Sequence, residues 1–363
     1  MPPRHRLELR PGARYACVGD GLCCSDIHAL GPVTRAEAAR VRGFDSKAIE
    51  NHPRLALPVL AVHRDHTCTF WSAQGGCAIH RDHGEAAKPT ACRQFPYGLV
   101  RTEAGLRVTT AHRCPCRSVG PRPLLDERDA REALTTRGRL RVDHTVGSHV
   151  RLSRRRHVSF ASYAALEANA LAALEAPDGL ARVVPSADPL PDLVHTAPAD
   201  LAHAYRALVD GTLTGDAFAW FGDALLAIVL DRRLGDRPRP WAFAFDRAER
   251  RVTSPRAREE VFADFAADVL YGLAWVEAST LASTLVTLGV ALRAASRVAA
   301  RIERTGASSE RAAAEAVLVA EVGLAGPLAR IRASDEDEAS ALDLIAALSP
   351  QPSAATRRSA RRS

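Results

Sequence analysis

All eight cysteines of this chain lie in its first third, and this clustering most constrains what the chain can fold into. They are Cys17, Cys23, Cys24, Cys68, Cys77, Cys92, Cys114 and Cys116. Eight cysteines scattered at random would all fall in that window of about 100 residues with a probability of about 3 in 100,000. The first third is therefore predicted to be built around its thiols, and residues 117–363, which contain no cysteine, to have a different kind of core.

The length and charge of the chain are typical of a globular protein. With 363 residues, 47% of them hydrophobic and 25% charged, the chain is long enough for two or three domains with a substantial core. The formal net charge is +7, but four arginines lie close to the C-terminus, at 357–362. The surplus on the rest of the chain is only about +3, which argues against a nucleic-acid partner.

The sequence also predicts the cellular compartment of the protein. The N-terminal residues lack the apolar core of a signal peptide, and the longest charge-free run at a plausible span, 278–292, is too short to cross a membrane. We therefore expect a soluble cytoplasmic protein without a membrane partner. Because the cytoplasm is reducing, clustered thiols there are expected to be metal ligands or redox groups rather than disulfides.

Local signals predict the turn that carries the paired cysteines. Gly19 and Gly21 allow the tight backbone bend that brings thiols together. Adjacent cysteines are expected to point in different directions. Cys23 and Cys24 should therefore serve different metals, or one of them should not be a ligand.

Further signals predict short elements in the cysteine-rich part. Thr34 and Glu37 form a capping box, which predicts a helix from Arg35, and a second short helix is expected from Ser46. Residues 98–111 predict a β-hairpin whose return strand leads to the last two cysteines.

Four separate segments follow one another with the order and spacing of a known family. They are Cys17-x-x-Asp20-Gly-x-Cys23-Cys24, Cys68-x-Phe70, Cys77-x-Ile79-His80 and Pro89-x-x-Cys92-Arg93-x-Phe95-Pro96. Over about residues 15–118 the chain resembles the YkgJ-type cysteine-cluster family, which is described as a zinc- or iron-chelating domain with a CxxCxxCC-type signature. Asp20 stands where that family usually has its second cysteine. A carboxylate can ligate zinc or iron but poorly replaces thiolate in an iron–sulfur cluster, so either Cys116 compensates or the site holds fewer metals.

A looser resemblance links the chain to the flagellin lysine N-methylases, which share the signature and carry a long helical C-terminal part. Cys114-Pro115 after the predicted hairpin is similar to their Cys-Pro step. This resemblance implies S-adenosylmethionine and iron–sulfur chemistry, such as a 4Fe-4S cluster, acting on a protein lysine.

The candidate metal ligands are the eight cysteines, because soft thiolate binds zinc, iron and iron–sulfur clusters at neutral pH. Asp20, His80 and His112 are additional candidates, and each of the two histidines lies within three residues of a cysteine. No catalytic residue is assigned.

Three further residues are predicted to surround the ligands. Phe70 and Phe95 are expected to shield the site from water. Arg93 is expected to offset thiolate charge, or alternatively to bind an anionic substrate.

Amphipathic stripes and capping signals predict helices in the remainder of the chain, including one that starts at Ser254-Pro255. The predicted fold class is α+β, mainly α. It comprises a small irregular cysteine-rich metal module with short β-hairpins at 1–118, a linker with short strands at 119–160, a helical domain at 161–348, and a disordered basic tail at 349–363.

Two functions from different classes fit these features. The first is a zinc or iron (iron–sulfur) protein that does chemistry on another molecule, such as methylation of a protein lysine. Its metal would lie near a pocket between the cysteine module and the helices. The second is a non-enzymatic structural zinc module, closed by four thiolates per ion, in a scaffold that binds a protein partner. Metal storage or delivery also fits the thiol count and predicts weak, exchangeable binding.

Overall fold

The fold is given by a computed structural model that describes residues 6–52, 56–136, 138–191 and 193–348. Within these residues helices outweigh strands, so the predicted α+β, mainly α class is confirmed. The basic tail predicted at 349–363 lies outside the described residues.

Short strands are concentrated in the first 160 residues. They are β1 (Leu7–Leu9), β2 (Ile49–Asn51), β3 (Pro58–Leu60), β4 (Trp71–Ser72), β5 (Gly76–Cys77), β6 (Tyr97–Arg101), β7 (Leu106–Thr110), β8 (Thr135–Thr136), β9 (Arg139–Leu140), β10 (His144–Thr145), β11 (His149–Arg151) and β12 (His157–Ser159). The predicted hairpin is formed by β6 and β7, with Leu99 opposite Val108. It lies at the centre of a four-stranded sheet of order β1-β7-β6-β10, in which both outer strands run parallel to their neighbours. The other strands pair as β2-β3, β4-β5, β8-β9 and β11-β12.

Five short helices accompany these strands. They are α1 (Arg35–Phe44), α2 (Ala78–His83), α3 (Thr90–Gln94), α4 (Pro115–Ser118) and α5 (Glu127–Leu134), the last within the segment predicted as a linker. The capping box of α1 is confirmed, because Thr34 and Glu37 exchange hydrogen bonds at the start of the helix. The helix expected from Ser46 is wrong. Asp45 accepts a hydrogen bond from the backbone N–H of Lys47, and this local turn competes with a helix and leads into β2.

The second half of the chain is helical. Its α-helices are α6 (Phe160–Leu174), α7 (Gly179–Val183), α8 (Pro198–Arg206), α9 (Leu213–Val229), α10 (Ala242–Glu249), α11 (Arg258–Gly272), α12 (Leu281–Glu303), α13 (Ser309–Ala325) and α14 (Asp335–Ala347). The start predicted at Ser254-Pro255 is wrong, because the N-cap is the extended residue Ala257 and α11 begins at Arg258. That extended segment lets Arg256 reach Glu310 on α13.

Helices α9, α12 and α13 lie at the centre of the helical part. Helix α12 is long and apolar enough to cross a membrane, but 83% of its apolar window is buried inside the fold, as in a core helix. The largest buried apolar cluster spans these helices and also includes Leu22, Ile27 and Val100. The cysteine-rich part therefore contributes a few residues to the helical core, and it also has two smaller apolar clusters of its own, around Leu60 and around Leu99.

Candidate metal centre

A tight turn holds Cys23 and Cys24 side by side. Gly21 has a φ of 90°, and a Cβ atom at this position would come within 2.2 Å of Cζ2 of Trp71. The single 3-10 turn that follows leaves the Sγ atoms of Cys23 and Cys24 only 4.0 Å apart. Thiolates on a tetrahedral zinc ion with Zn–S bonds of about 2.3 Å are about 3.8 Å apart. The expectation that the neighbouring cysteines diverge is therefore wrong.

A first set of ligands joins this turn to the last cysteines. We call it the Asp20 group: Cys17, Asp20, Cys114 and Cys116. Ligand atoms of Asp20, Cys114 and Cys116 lie within 4.8 Å of one another, and all three residues are buried. The Sγ atom of Cys116 donates to Oδ2 of Asp20 at 2.5 Å and accepts from the backbone N–H of Val18 at 3.1 Å. Cys17 is exposed, and its interaction with the Cys116 thiol raises its pKa.

The β6-β7 hairpin positions Cys114 and Cys116, the two residues of the Asp20 group that come last in the chain. Strand β7 ends at Thr110, and the chain turns into α4, with Cys114 as the N-cap and Pro115 at the first helical position. This short helix brings Cys116 back to the glycine turn. The four residues of the group are therefore brought together by two segments almost 100 residues apart.

A second set of thiols surrounds Cys68. We call it the Cys68 group: Cys24, Cys68, Cys77 and Cys92. The backbone N–H of Cys68 donates to the carbonyl of Cys24 at 2.7 Å. Cys24, Cys68 and Cys92 pack in one apolar cluster together with Phe70. The small β4-β5 ladder places Cys77 beside them, and its charge raises the pKa of both Cys68 and Cys92.

The Cys23 thiol connects the two groups. Its hydrogen bond with Cys24, its burial, and the charges of Cys24, Asp20 and Cys17 raise its pKa well above the usual value. In return, Cys23 contributes to the raised pKa of Cys68 and of Cys114. The two groups of thiols therefore interact electrostatically through Cys23.

Burial and the charges of neighbouring thiols raise the pKa of Cys68, Cys92 and Cys114, which favours their protonated form. Burial, followed by the charge of Cys77, raises the pKa of Cys68 to about 11. The hydrogen bond with Cys116 lowers the pKa of Cys114, but burial and the charges of Asp20 and Cys23 raise it to about 11. A bound divalent cation reverses this balance, because coordination deprotonates thiols.

The carboxyl group of Asp20 fits a metal ligand. Its residue is only 2% exposed, and burial raises its pKa, although hydrogen bonds from Cys116 and the backbone of Leu22 act in the opposite direction. No arginine, lysine or histidine among the described residues pairs with Asp20. A buried carboxylate without a cationic partner is unfavourable, so a cation beside the surrounding thiolates would satisfy it. The donor set of the Asp20 group, three sulfurs and one carboxylate, suits zinc or iron.

The other predicted site residues lie in different surroundings. Phe70 packs against the apolar cluster that contains Cys68. Phe95 stacks on His28, with ring centroids 4.2 Å apart. His80 is exposed on α2. The Nη1 atom of Arg93 reaches the carbonyl of Thr135 at 3.5 Å, and its Nε atom is buried without a partner.

His112 contacts a cluster of charged residues that was not predicted from the sequence. We call this the Arg–Asp cluster: Arg10, Arg117, Asp264 and Asp268. Nε2 of His112 lies 2.7 Å from Oδ2 of Asp268. Arg117 pairs with both aspartates, at 2.5 and 2.7 Å, and Arg10 also pairs with both. His112 and the two aspartates are close enough to hold a metal ion, but the two arginines already supply the positive charge.

The Arg–Asp cluster fastens the metal-centre segment to α11. Burial opposes ionisation, but Arg117 and Arg10 hold the pKa values of Asp264 and Asp268 below their usual range. Helix α13 adds a second attachment, since Glu321 accepts hydrogen bonds from the backbone N–H groups of His112 and Arg113. The i,i+4 spacing of the two aspartates on an otherwise apolar helix face was the only sequence signal for this arrangement.

A cavity of about 650 Å³ adjoins this segment. The hairpin β6-β7 lines one side, and helices α11, α12 and α13 line the other. His28, Phe95, His112 and Arg113, all close in sequence to cysteines, form part of its wall. The structure thus contains a pocket between the cysteine-rich part and the helices.

Comparison with known proteins does not place the chain in a family. No protein-family model, curated protein or solved structure matches it.

Proposed function

We propose that this protein is a metal-chelating protein that holds zinc or iron through its clustered cysteines. The observation that carries the proposal is that Asp20, Cys114 and Cys116 converge in a buried position, where no basic side chain of the described residues pairs with the carboxylate. The Cys68 group and the bridging thiol of Cys23 would supply further ligands. When bound, the metal would supply Lewis-acid chemistry or, as an iron–sulfur cluster, electron transfer.

We further propose that the metal centre serves an enzymatic reaction on another molecule. The adjacent cavity supports this, because its wall includes His112 and Arg113, which immediately precede Cys114. The resemblance to the flagellin lysine N-methylases narrows the proposal to methyl transfer from S-adenosylmethionine to a lysine of a protein substrate. Eight free cysteines fit a reducing compartment, so we propose a cytoplasmic location.

A structural zinc module is the second candidate. The 4.0 Å separation of the Cys23 and Cys24 sulfurs and the burial of Cys68, Cys114 and Cys116 favour a site closed by protein ligands. In that case the metal would hold together a scaffold that binds a partner protein.

Metal stoichiometry in paired variants tests the proposal. Cys114→Ser/Cys116→Ser disables the Asp20 group, and Cys68→Ser/Cys92→Ser disables the Cys68 group. Two separate sites predict that each double variant loses part of the metal, and a single shared centre predicts that either loses all of it. Unchanged metal content in both variants would refute thiolate chelation at these positions.

Removal of the metal with a chelator distinguishes an enzymatic role of the metal from a structural one. A structural module should lose its tertiary structure with the metal, because binding energy there is folding energy. A catalytic centre should lose methyl transfer to a lysine-containing protein while helical circular dichroism persists.

A further inference from the structure

One stripe of helix α10 faces the cysteine-rich part. Phe243, Arg247 and Arg251 follow one another at intervals of four residues, so they share one side of the helix and of the turn that extends it. The backbone N–H of Arg251 donates to the carbonyl of Ala248 at 3.2 Å, which keeps Arg251 in line with the helix. We call these three residues the α10 stripe. It presents one aromatic ring and two guanidinium groups to the cysteine-rich part.

The rest of α10 is attached to the helical part of the chain. Ala244, Phe245 and Ala248 are buried in the largest apolar cluster. Glu249, the last residue of the helix, pairs with Arg311 on α13 at 3.2 Å. The α10 stripe is therefore carried by an element that the helical core holds in place.

Arg251 binds the residue that follows Cys17. Its Nη1 atom donates to the carbonyl oxygen of Val18. The backbone N–H of Val18 donates in turn to the Sγ atom of Cys116 at 3.1 Å. Hydrogen bonds of this kind orient the ligands of a metal ion and tune their basicity. Arg251 therefore fixes the residue whose N–H group contacts the Cys116 sulfur.

The other two residues of the stripe hold Trp71 over the same turn. The guanidinium carbon of Arg247 lies 5.3 Å from the centre of the Trp71 ring, a favourable cation–π contact, and the centre of the Phe243 ring lies 6.0 Å away. Trp71 in turn lies so close to Gly21 that a Cβ atom there would collide with its ring. The stripe thus holds the thiol turn at two points, at Val18 directly and at Gly21 through Trp71.

The exposure of the Asp20 group indicates where exchange of a bound metal begins. Cys17 is exposed, whereas Asp20, Cys114 and Cys116 are buried. A competing ligand from solution can reach only an exposed position, so replacement of the protein ligands starts at Cys17. The backbone at Val18 must then move away from Cys116, and the hydrogen bond from Arg251 opposes this movement.

We infer that Arg251 is a positioning residue for the metal centre and that the α10 stripe limits the rate at which the metal is released. This inference rests on the proposed function, because it requires a metal in the Asp20 group. It assigns control of metal exchange to the helical part of the chain, through residues that are not themselves ligands.

Release of cobalt(II) from the full chain tests the inference. The absorption of cobalt–thiolate bonds is followed after addition of excess chelator. Arg251→Met removes the donor to Val18 and should release cobalt about tenfold faster than the wild type. Arg251→Lys keeps a cationic donor and should release it more slowly than the methionine variant.

The matched control is the neighbouring Arg250→Met. Arg250 is also exposed, and within the described residues its side chain forms no hydrogen bond or ion pair. This variant should release cobalt at the wild-type rate. Equal release rates in Arg250→Met and Arg251→Met would overturn the inference.

Two further readouts separate the inference from the proposed function. Wild-type protein that binds no cobalt would refute both, whereas a loaded protein whose release rate ignores Arg251 would refute the inference alone. In the metal-free protein, the amide hydrogen of Val18 should exchange with solvent faster in Arg251→Met than in the wild type. Unchanged exchange would contradict the positioning role.

Discussion

The Sγ atom of Cys116 donates a hydrogen bond to Oδ2 of Asp20 over 2.5 Å, although the two residues are 96 positions apart in the chain. This contact closes the cysteine-rich part on itself. It places the carboxylate of Asp20 among thiols. Asp20 is therefore the residue whose replacement most directly tests the ligand set.

Substitution of Asp20 should change metal affinity according to the donor that replaces it. Asp20→Ala removes a ligand and should weaken binding by about tenfold or more, whereas Asp20→Cys supplies a thiolate and should retain the metal. Competition with a chromophoric chelator measures both constants. If the Asp20→Ala variant binds the metal as tightly as the wild type does, Asp20 is not a ligand.

Two glycine variants test the geometry of the thiol turn. Gly19 and Gly21 both have positive φ angles, so alanine at either position is strained by about 1 kcal/mol. Only at Gly21 would the added methyl group collide with Trp71, whereas nothing lies within 4 Å of a Cβ atom at Gly19. Gly21→Ala should therefore reduce bound metal and stability, and Gly19→Ala should change stability alone. Equal effects on metal content would argue against the proposed role of the Cys23–Cys24 geometry.

Loss of Arg117 should strongly destabilise the fold. Its guanidinium is fully buried and pairs with both aspartates of the Arg–Asp cluster, so Arg117→Met leaves buried carboxylates short of positive charge. Breaking one partner of a buried ion pair costs about 3–5 kcal/mol of unfolding free energy. Urea denaturation measures this loss, with Arg128→Met, whose arginine is 88% exposed, as the control. If the unfolding free energies of the two variants differ by less than about 1 kcal/mol, Arg117 does not fasten the metal-centre segment to α11 as proposed.

Glu37 should make the cysteine-rich part sensitive to acid. Burial opposes ionisation, but hydrogen bonds from Thr34 and Thr90 lower the pKa of Glu37 to about 2 from an ordinary value of 4.5. Its folded-state pKa is depressed, so its contribution is present above pH 4.5 and is lost as the pH falls towards 2. Glu37→Gln should cost about 1 kcal/mol at pH 7 and progressively less below pH 4.5. Denaturation curves at pH 7 and pH 3.5 test this, with the exposed Glu50→Gln as control, and a cost independent of pH would refute it.

Local signals predicted much of the fold. The capping box placed the start of α1, and the pattern of residues 98–111 predicted the β6-β7 hairpin. These features depend on residues close in sequence. The same is true of the cysteine clustering, which identified the candidate metal centre.

Contacts between distant segments could not be predicted in this way. No local pattern predicted that β10 pairs with β6. The spacing of Asp264 and Asp268 did not identify Arg117 as their partner, because charged residues usually remain solvated. The convergence of the Cys23 and Cys24 sulfurs depends on how Trp71 packs over Gly21. Helix α10 was missed, although Ala244, Phe245 and Ala248 have the spacing of a buried helix face.

Metal binding by the cysteines is tested most directly by the metal and acid-labile sulfide content of the protein purified without oxygen, together with its visible absorption spectrum. We expect zinc or iron in a stoichiometric amount. Iron with sulfide and a brown colour would identify a cluster and support methyl-transfer or redox chemistry. Zinc without sulfide would identify a thiolate site and support the structural module. Protein that contains no metal and has all eight thiols free would contradict the central claim.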